Sequence, residues 1–362
     1  MVTRVDLANS YRGKTVLVTG DTGFKGSWLA SWLLELGANV IGYALPPQSA
    51  HDNYVVSGLA DKIVHVDGDV RDHDKLAEVL SRSQPDIVFH LAAQSLVLES
   101  YKAPRETFDT NIMGTVNLLE AVRRAQAVRA VVIVTSDKCY ENQDWVWGYR
   151  ESDPMGGHDP YSASKGAAEL VTSSLRRSFF TGPGAAAIAS VRAGNVIGGG
   201  DWATHRIVPD CMRALAAGRP VVLRNPKAVR PWQHVLDALH GYLQLGARLF
   251  SDGNAFASGW NFGPSQRTMV SVRSLVESVI AAWGSGTFVV DSAPTQAKPD
   301  EARFLHLDIS KATNQLGWRP VLELGPMVAL TVEGYRAELT GQRDVFSHRV
   351  SQIRAFEELA HG

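Results

Sequence analysis

"TVLVTGDTGFKGSWLASWLLELG", Thr15–Gly37, joins two elements through a glycine-rich turn. Its first part is an uninterrupted apolar run that reads as a buried strand, and "GSWLASWLLELG" reads as a helix. Gly20, Gly23 and Gly26 punctuate the turn between them. Glycines at such a junction allow a tight turn, close approach of backbone to a pyrophosphate, and close packing of helix on strand. The helix N-terminus then faces the phosphates. Glycine turns are common, so the triplet gains meaning from the strand before it and the helix after it. The acidic residue that often ends the second strand and holds ribose hydroxyls is missing from "VIGYALPP", and no arginine stands there for a 2′-phosphate. The turn points to a dinucleotide without choosing between NAD and NADP.

The alternation continues downstream. "NVIGYAL" (39–45), "IVHVDGDV" (63–70), "DIVFHLAA" (86–93) and "AVVIVTS" (130–136) are apolar strands. Helical stretches separate them, such as "DHDKLAEVLSRS" (72–83) and "TFDTNIMGTVNLLEAVRRA" (107–125). Strands this continuously apolar, joined by helices, imply an α/β fold with a parallel sheet covered on both faces. Such a doubly wound, Rossmann-type sheet binds its ligand at the carboxyl ends of its strands. After about Asn195 the pattern loosens into glycine- and proline-punctuated loops, "GNVIGGGDW" (194–202) and "RNPKAVRPW" (224–232). Helices such as "HVLDALHGYLQLGARLF" and "SVRSLVESVIAAWG" are mixed among them. The expected division is a dinucleotide-binding domain over 1–194, to which part of 234–264 returns, and a smaller C-terminal substrate-binding lobe over 195–362.

Bulk properties narrow the function classes. A chain of 362 residues can bury a full core, and 45% hydrophobic with 20% charged residues is ordinary for a soluble globular protein. A net charge of −1 with no basic block lacks the electrostatic footprint of nucleic-acid binding. The two cysteines, Cys139 and Cys211, offer neither a disulfide framework nor metal-ligand spacing. "MVTRVDLANSYRGK" has no signal-peptide core, and no apolar run reaches membrane-span length. A cytoplasmic protein is expected.

Two motifs carry chemistry. The strand over 130–134 runs into Thr135, Ser136, Asp137 and Lys138, placing hydroxyls, a carboxylate and an amine at a ligand-binding sheet edge. An isolated Asp–Lys pair is more often a salt-bridged turn, but its place at a strand end favours a site. "YSASK" sets Tyr161 and Lys165 one turn apart on a helix face. A lysine beside a phenol favours the phenolate and makes a usable base near neutral pH.

The glycine turn, the strand-end Ser136 and the Tyr161–Lys165 pair together resemble the extended short-chain dehydrogenase/reductases, the NAD-dependent epimerase/dehydratase superfamily. Within that superfamily, "TGFKGSWL", "HLAAQ", "NIMGTVNLLEA", "VTSDKCYEN", "WGYRESDPMGGHDPYSASKG", "RAGNVIGGGDW", "RPWQHVL", "WNFGP" and "LDISKATNQLGWRP" are similar to the CDP-glucose 4,6-dehydratases. The resemblance covers nearly the whole chain, and "TSDKCYEN" and "RPWQHVL" are its most specific strings. Three positions depart from it: Asp21 stands in place of a histidine, Leu98 in place of a basic residue, and Asp300-Glu301 in place of His-Glu.

The resemblance implies an NAD-dependent lyase that removes water from a nucleotide-activated hexose, CDP-glucose foremost, working as a homodimer. It implies catalytic roles for Ser136, Asp137, Lys138, Tyr161 and Lys165, with Asp137 as acid and Lys138 as base. Gly20, Gly23, Phe24, Lys25, Gly26, Asp69, Val70, Leu91, Ala92 and Ala93, with Tyr161 and Lys165, are expected around NAD. Gln94, Asn111, Asn195, Arg206 and Arg230 are expected to line the sugar-nucleotide cleft, with Arg230 forking onto the diphosphate. No metal is implied, and His234 reads as a loop hydrogen-bonding group. Cys139 reads as a small apolar filler. Trp145, Trp147 and Trp232 read as core or interface residues before ligand-stacking ones.

Other readings share parts of this pattern. A 4-epimerase or another sugar-nucleotide dehydratase of the superfamily would keep the glycine turn and the Tyr–Lys pair, but an epimerase needs no acid and base after Ser136. A non-catalytic NAD(P)-sensing protein usually loses one member of the Tyr–Lys pair, and this chain keeps both. The pyrimidine itself is not legible from any motif.

Overall fold

The computed structural model describes residues 5–265, 268–291, 305–341 and 344–361. Asp300 and Glu301 lie outside the described residues. Seven strands form one parallel sheet: β1 (Thr15–Thr19), β2 (Asn39–Ala44), β3 (Val64–Asp67), β4 (Ile87–His90), β5 (Ala130–Val134), β6 (Ala187–Arg192) and β7 (Gly259–Asn261). Their spatial order is β7-β6-β5-β4-β1-β2-β3. The order reverses direction between β1 and β4, which opens the crevice where doubly wound sheets bind ligands.

The longer helices are α1 (Phe24–Glu35), α2 (His73–Ser83), α3 (Gly114–Arg124), α4 (Pro160–Phe179), α5 (Ile207–Ala216), α6 (Val235–Asp252), α7 (Val272–Trp283), α8 (Leu324–Thr340) and α9 (Val345–His361). Strand residues alternate between two cores, as period-2 geometry requires. Val16, Val18, Ala130 and Val132 face a large cluster with Trp28 and Trp32 of α1 and Leu239 and Leu243 of α6. Leu17, Val131 and Ile133 face a second cluster with Leu76 and Leu80 of α2 and Leu118 and Leu119 of α3. Both faces are therefore covered, and the strands need no polar side. Helix α6 packs on this sheet and β7 extends it, so segments 235–252 and 259–261 lie with the first half of the chain.

Local chemistry sets where the functional helices begin. Asp159 caps α4 by accepting from the Ser162 amide at 2.9 Å, and Pro160 occupies the first turn. The segment read as one helix over 107–125 is helical from Pro104 to Arg124, with a π-turn (Asp109–Met113) between the short helix Pro104–Phe108 and α3. Among the described residues, the second half adds three small two-stranded sheets, one of them Val229–Pro231 against Met269–Ser271. No described helix is long and apolar enough to cross a membrane.

Candidate active site

The carboxyl ends of β1, β4 and β5 converge on one edge. Gly20 leaves β1 with φ +77°, and a Cβ on it would sit 2.7 Å from the Ala92 amide nitrogen. A Cβ on Gly26 would fall 2.0 Å from the Gly20 carbonyl oxygen. Any larger residue would therefore unseat α1 from the loop. Gly23 caps α1 with no side chain, leaving the first-turn amides of that helix without a side-chain acceptor. This cradle fits a dinucleotide diphosphate, which would take those amides as donors. Phe24 and Lys25 open α1, and Leu91–Ala93 follow β4 beside the cradle. Asp69 and Val70 follow β3; the Asp69 carboxylate holds Arg71, and its carbonyl accepts from the Tyr43 hydroxyl at 2.8 Å.

Beyond β5 the chain makes a single 3₁₀ turn, Asp137–Cys139, capped by Ser136. The Ser136 hydroxyl accepts from the Lys138 amide at 3.2 Å and donates to Asp137 Oδ1 at 2.9 Å. Asp137 is buried, and Asn195 Nδ2 approaches its Oδ2 at 3.5 Å. Lys138 is half-buried. Tyr161 and Lys165 are buried one turn apart on α4, and Lys165 Nζ donates to the Val134 carbonyl at 3.4 Å. The five residues expected to be catalytic thus occupy the end of β5 and the helix face packed against it.

Charge is concentrated here. Burial pulls Lys165 down to about 8, with Lys25 adding to the effect and Glu169 opposing it. Burial likewise lowers Lys25 to about 8, helped by Arg206 and opposed by Asp137 and Asp201. Burial pushes the Tyr161 phenol up to about 12, while the neighbouring Ser136 hydroxyl and Arg206 pull the other way. Burial outweighs the groups that favour the phenolate. Arg206 stands just before α5 as its N-cap and pairs with Asp201 at 2.9 Å. Arg230 lies in the strand Val229–Pro231, and its Nη1 donates to the Val229 carbonyl at 2.9 Å.

Two expected substrate contacts are otherwise engaged. Asn111 sits in the π-turn, 2% exposed, donating to the Gln94 carbonyl (3.0 Å) and Ser164 Oγ (2.8 Å) and accepting from the Gln94 amide (2.9 Å). Both its N–H groups are used, so Asn111 ties β4's exit to α4 and has no donor left for a sugar. The Gln94 carboxamide is likewise committed to Leu96 and Thr107. Trp232 is buried and Trp147 is exposed. Trp145 packs at 5.2 Å on Tyr149. His234 caps α6 by accepting from the Leu236 amide at 3.3 Å. No cluster among the described residues could hold a metal ion.

Sequence reasoning passed over two residues. Gly194 lies against Asp137, and nothing in "RAGNV" announces that contact. Glu169 continues the Tyr161–Lys165 spacing by one more turn, a signal that was there to be read.

A family model described as GDP-mannose 4,6 dehydratase matches residues 17–331. The chain belongs to that family. Within it, this family member is 48% identical over 339 residues to a CDP-glucose 4,6-dehydratase of Salmonella typhimurium, covering 92% of the chain and 94% of the relative. A dTDP-glucose 4,6-dehydratase of Xanthomonas campestris is 29% identical over 94% of the chain and 99% of its own length. Among solved structures, a dTDP-glucose 4,6-dehydratase from Streptomyces venezuelae with NAD bound superposes with a TM-score of 0.75 at 26% identity. That match covers 91% of this chain and 99% of the other. A UDP-glucose 4-epimerase from Thermus thermophilus, in complex with NAD, gives 0.76 at 26% identity, covering 89% and 99%.

Proposed function

We propose that this chain is an NAD-dependent 4,6-dehydratase converting CDP-glucose to CDP-4-dehydro-6-deoxy-glucose and water. The observation that carries the reading is the turn after β5, where Ser136, Asp137 and Lys138 stand beside Tyr161 and Lys165 at the glycine cradle. A 4-epimerase has use for the hydroxyl and the Tyr–Lys pair but not for an added acid and base. The 48% identity to a CDP-glucose 4,6-dehydratase supports the choice of nucleotide.

Roles follow from position. When bound, NAD supplies a hydride acceptor and donor, taking the hydride from carbon 4 and returning it to carbon 6. The cradle of Gly20, Gly23 and Gly26 holds its diphosphate, and Lys165 holds its nicotinamide ribose. Tyr161 removes the proton from the 4-hydroxyl, with Ser136 hydrogen-bonding that oxygen. The resulting ketone acidifies the hydrogen on carbon 5, which Lys138 takes. Asp137 protonates the departing 6-hydroxyl, so water leaves and the carbon 5–carbon 6 bond becomes double. Return of the proton to carbon 5 then leaves the 4-keto-6-deoxy sugar, with no net oxidation. Arg206 and Arg230 are suited to the substrate diphosphate, and Asn195, beside Asp137, to the sugar.

Incubating the protein with CDP-, dTDP-, UDP- and GDP-glucose and weighing the products by mass spectrometry tests the reading. Loss of water from CDP-glucose is expected, and an isomer of unchanged mass would replace the dehydratase with an epimerase. Chromatography of nucleotide released on denaturation should yield NAD, and NADP would overturn the cofactor.

We also propose a homodimer. Tyr101, Phe108 and Met113 and, on α4, Leu170 are exposed apolar side chains that a second copy would cover. Light scattering that gives the mass of a single chain would remove it. Cys139 and Cys211 are free thiols, which fits a reducing, cytoplasmic setting.

A further inference from the structure

Glu169 is a buried carboxylate with no part in the chemistry above. It follows Lys165 by one turn of α4 and Tyr161 by two, and so shares their face. Its Oε1 accepts from Thr135 Oγ1 at 2.5 Å and from Arg192 Nε at 3.0 Å. Its Oε2 accepts from Ser190 Oγ at 2.6 Å and from Arg192 Nη2 at 2.8 Å. Burial pushes this carboxyl up, but Arg192 and the hydrogen bonds outweigh it and hold it below the usual range. Arg192 carries the network onward: its Nη1 donates to the Tyr140 hydroxyl at 2.5 Å, and that hydroxyl donates to Asn261 Oδ1 at 2.7 Å. Gly259 makes room for the guanidinium, since a Cβ there would lie 2.5 Å from Nη2.

The placement of the partners is informative. Thr135 and Tyr140 are the residues that bracket the Ser136–Cys139 turn. Both are fastened to one ion pair, and its carboxylate stands on the helix that carries Tyr161 and Lys165. We infer that Glu169 and Arg192, acting through Thr135 and Tyr140, are positioning residues that fix the Ser136–Lys138 turn against the Tyr161–Lys165 face of α4. This rests on the roles proposed above for those five residues.

A buried ion pair that merely fills the core predicts something else. Loosening it would then cost stability alone, and isosteric apolar replacement is often tolerated. A positioning brace predicts a loss of rate, because reacting groups displaced by about 1 Å can lose on the order of a hundredfold.

Thr135 is the place to separate the two, because Thr135→Val removes one link while keeping size, and Thr135→Ser returns the hydroxyl. We would measure kcat and KM for CDP-glucose, the melting temperature, and amide hydrogen exchange across residues 135–142 in the full chain without sugar nucleotide. In Thr135→Val, kcat should fall about tenfold or more with KM barely moved, while the melting temperature falls on either reading because a buried carboxylate loses a hydrogen bond. Exchange in the turn should quicken, and Thr135→Ser should match the wild type in every reading. Should Thr135→Val not fold, Glu169→Gln, which keeps the side chain's shape, is read by the same criteria. Wild-type kcat and wild-type exchange in the folded variant would overturn the brace, as would a Thr135→Ser protein as slow as Thr135→Val. A wild-type protein that fails to dehydrate CDP-glucose would sink the functional reading instead, and the exchange comparison would still decide the brace.

Discussion

Gly194 and Asp137 touch so closely that a Cβ on Gly194 would lie 1.8 Å from the Asp137 Oδ2 atom. The carboxylate is buried and flanked by the Ser136 hydroxyl on one side and the Asn195 amide on the other. It has little room to yield. Gly194→Ala must therefore displace the acid proposed for the departing 6-hydroxyl. We expect kcat to fall on the order of a hundredfold, with little change in KM. Steady-state kinetics on the folded variant checks this, and an unchanged kcat would show that Asp137 need not sit where Gly194 lets it.

Tyr161→Phe removes the phenol while leaving its ring in the same buried place. Removing a positioned acid–base group typically costs 10²–10⁴ in rate, and roughly that loss in kcat is expected here. Sugar-nucleotide affinity, measured by calorimetry, should stay close to the wild type because the loss concerns charge that develops during reaction. Near-normal turnover would remove Tyr161 from the mechanism.

A pH effect on stability should come from outside the reacting groups. His65 Nδ1 lies 2.7 Å from Asp21 Oδ2, beneath the glycine loop, and Nε2 lies 3.2 Å from Asp67. The hydrogen bond to Asp21 raises the His65 pKa against the opposing effect of burial. A histidine whose folded pKa is raised binds its proton more tightly when folded. Its stabilisation is complete below the unfolded value, about 6.5, and is lost as pH rises through the folded value. Melting temperatures should therefore decline across that window in the wild type, and less steeply in Asp21→Asn. Equal slopes for the two proteins would show that the pair does not titrate with folding.

The sheet was legible because strands buried on both faces must be apolar throughout, so Val131–Val134 could hardly be anything else. The turn after β5 was legible because a strand end is where such a sheet presents chemistry. The burial of Asn111 is not legible because it follows from a π-turn, and no periodicity announces where a helix takes an extra residue. The burial of Tyr161 depends on packing that the Tyr–Lys spacing does not encode. Gly194 was invisible for a related reason: its lack of a side chain matters only to a carboxylate delivered by a different strand.

Lys138 gives the sharpest test of the chemistry. If its amine is the base at carbon 5, Lys138→Ala leaves Ser136, Tyr161 and Lys165 in place, so oxidation at carbon 4 should still proceed. Elimination would lack its proton acceptor, and a 4-ketosugar that retains its 6-hydroxyl should accumulate. In deuterated water, carbon 5 should then stay unlabelled. Lys138 as a mere salt-bridge partner predicts a different outcome: lower stability, with dehydration and labelling preserved in whatever remains folded. The half-buried side chain makes the variant a fair test, since its loss opens no large cavity in the core. A single turnover with CDP-glucose in deuterated water, quenched in acid and read by mass spectrometry, separates the two. Efficient entry of deuterium at carbon 5 by well-folded Lys138→Ala protein would defeat the assignment, and a water passing the proton to Asp137 would take its place.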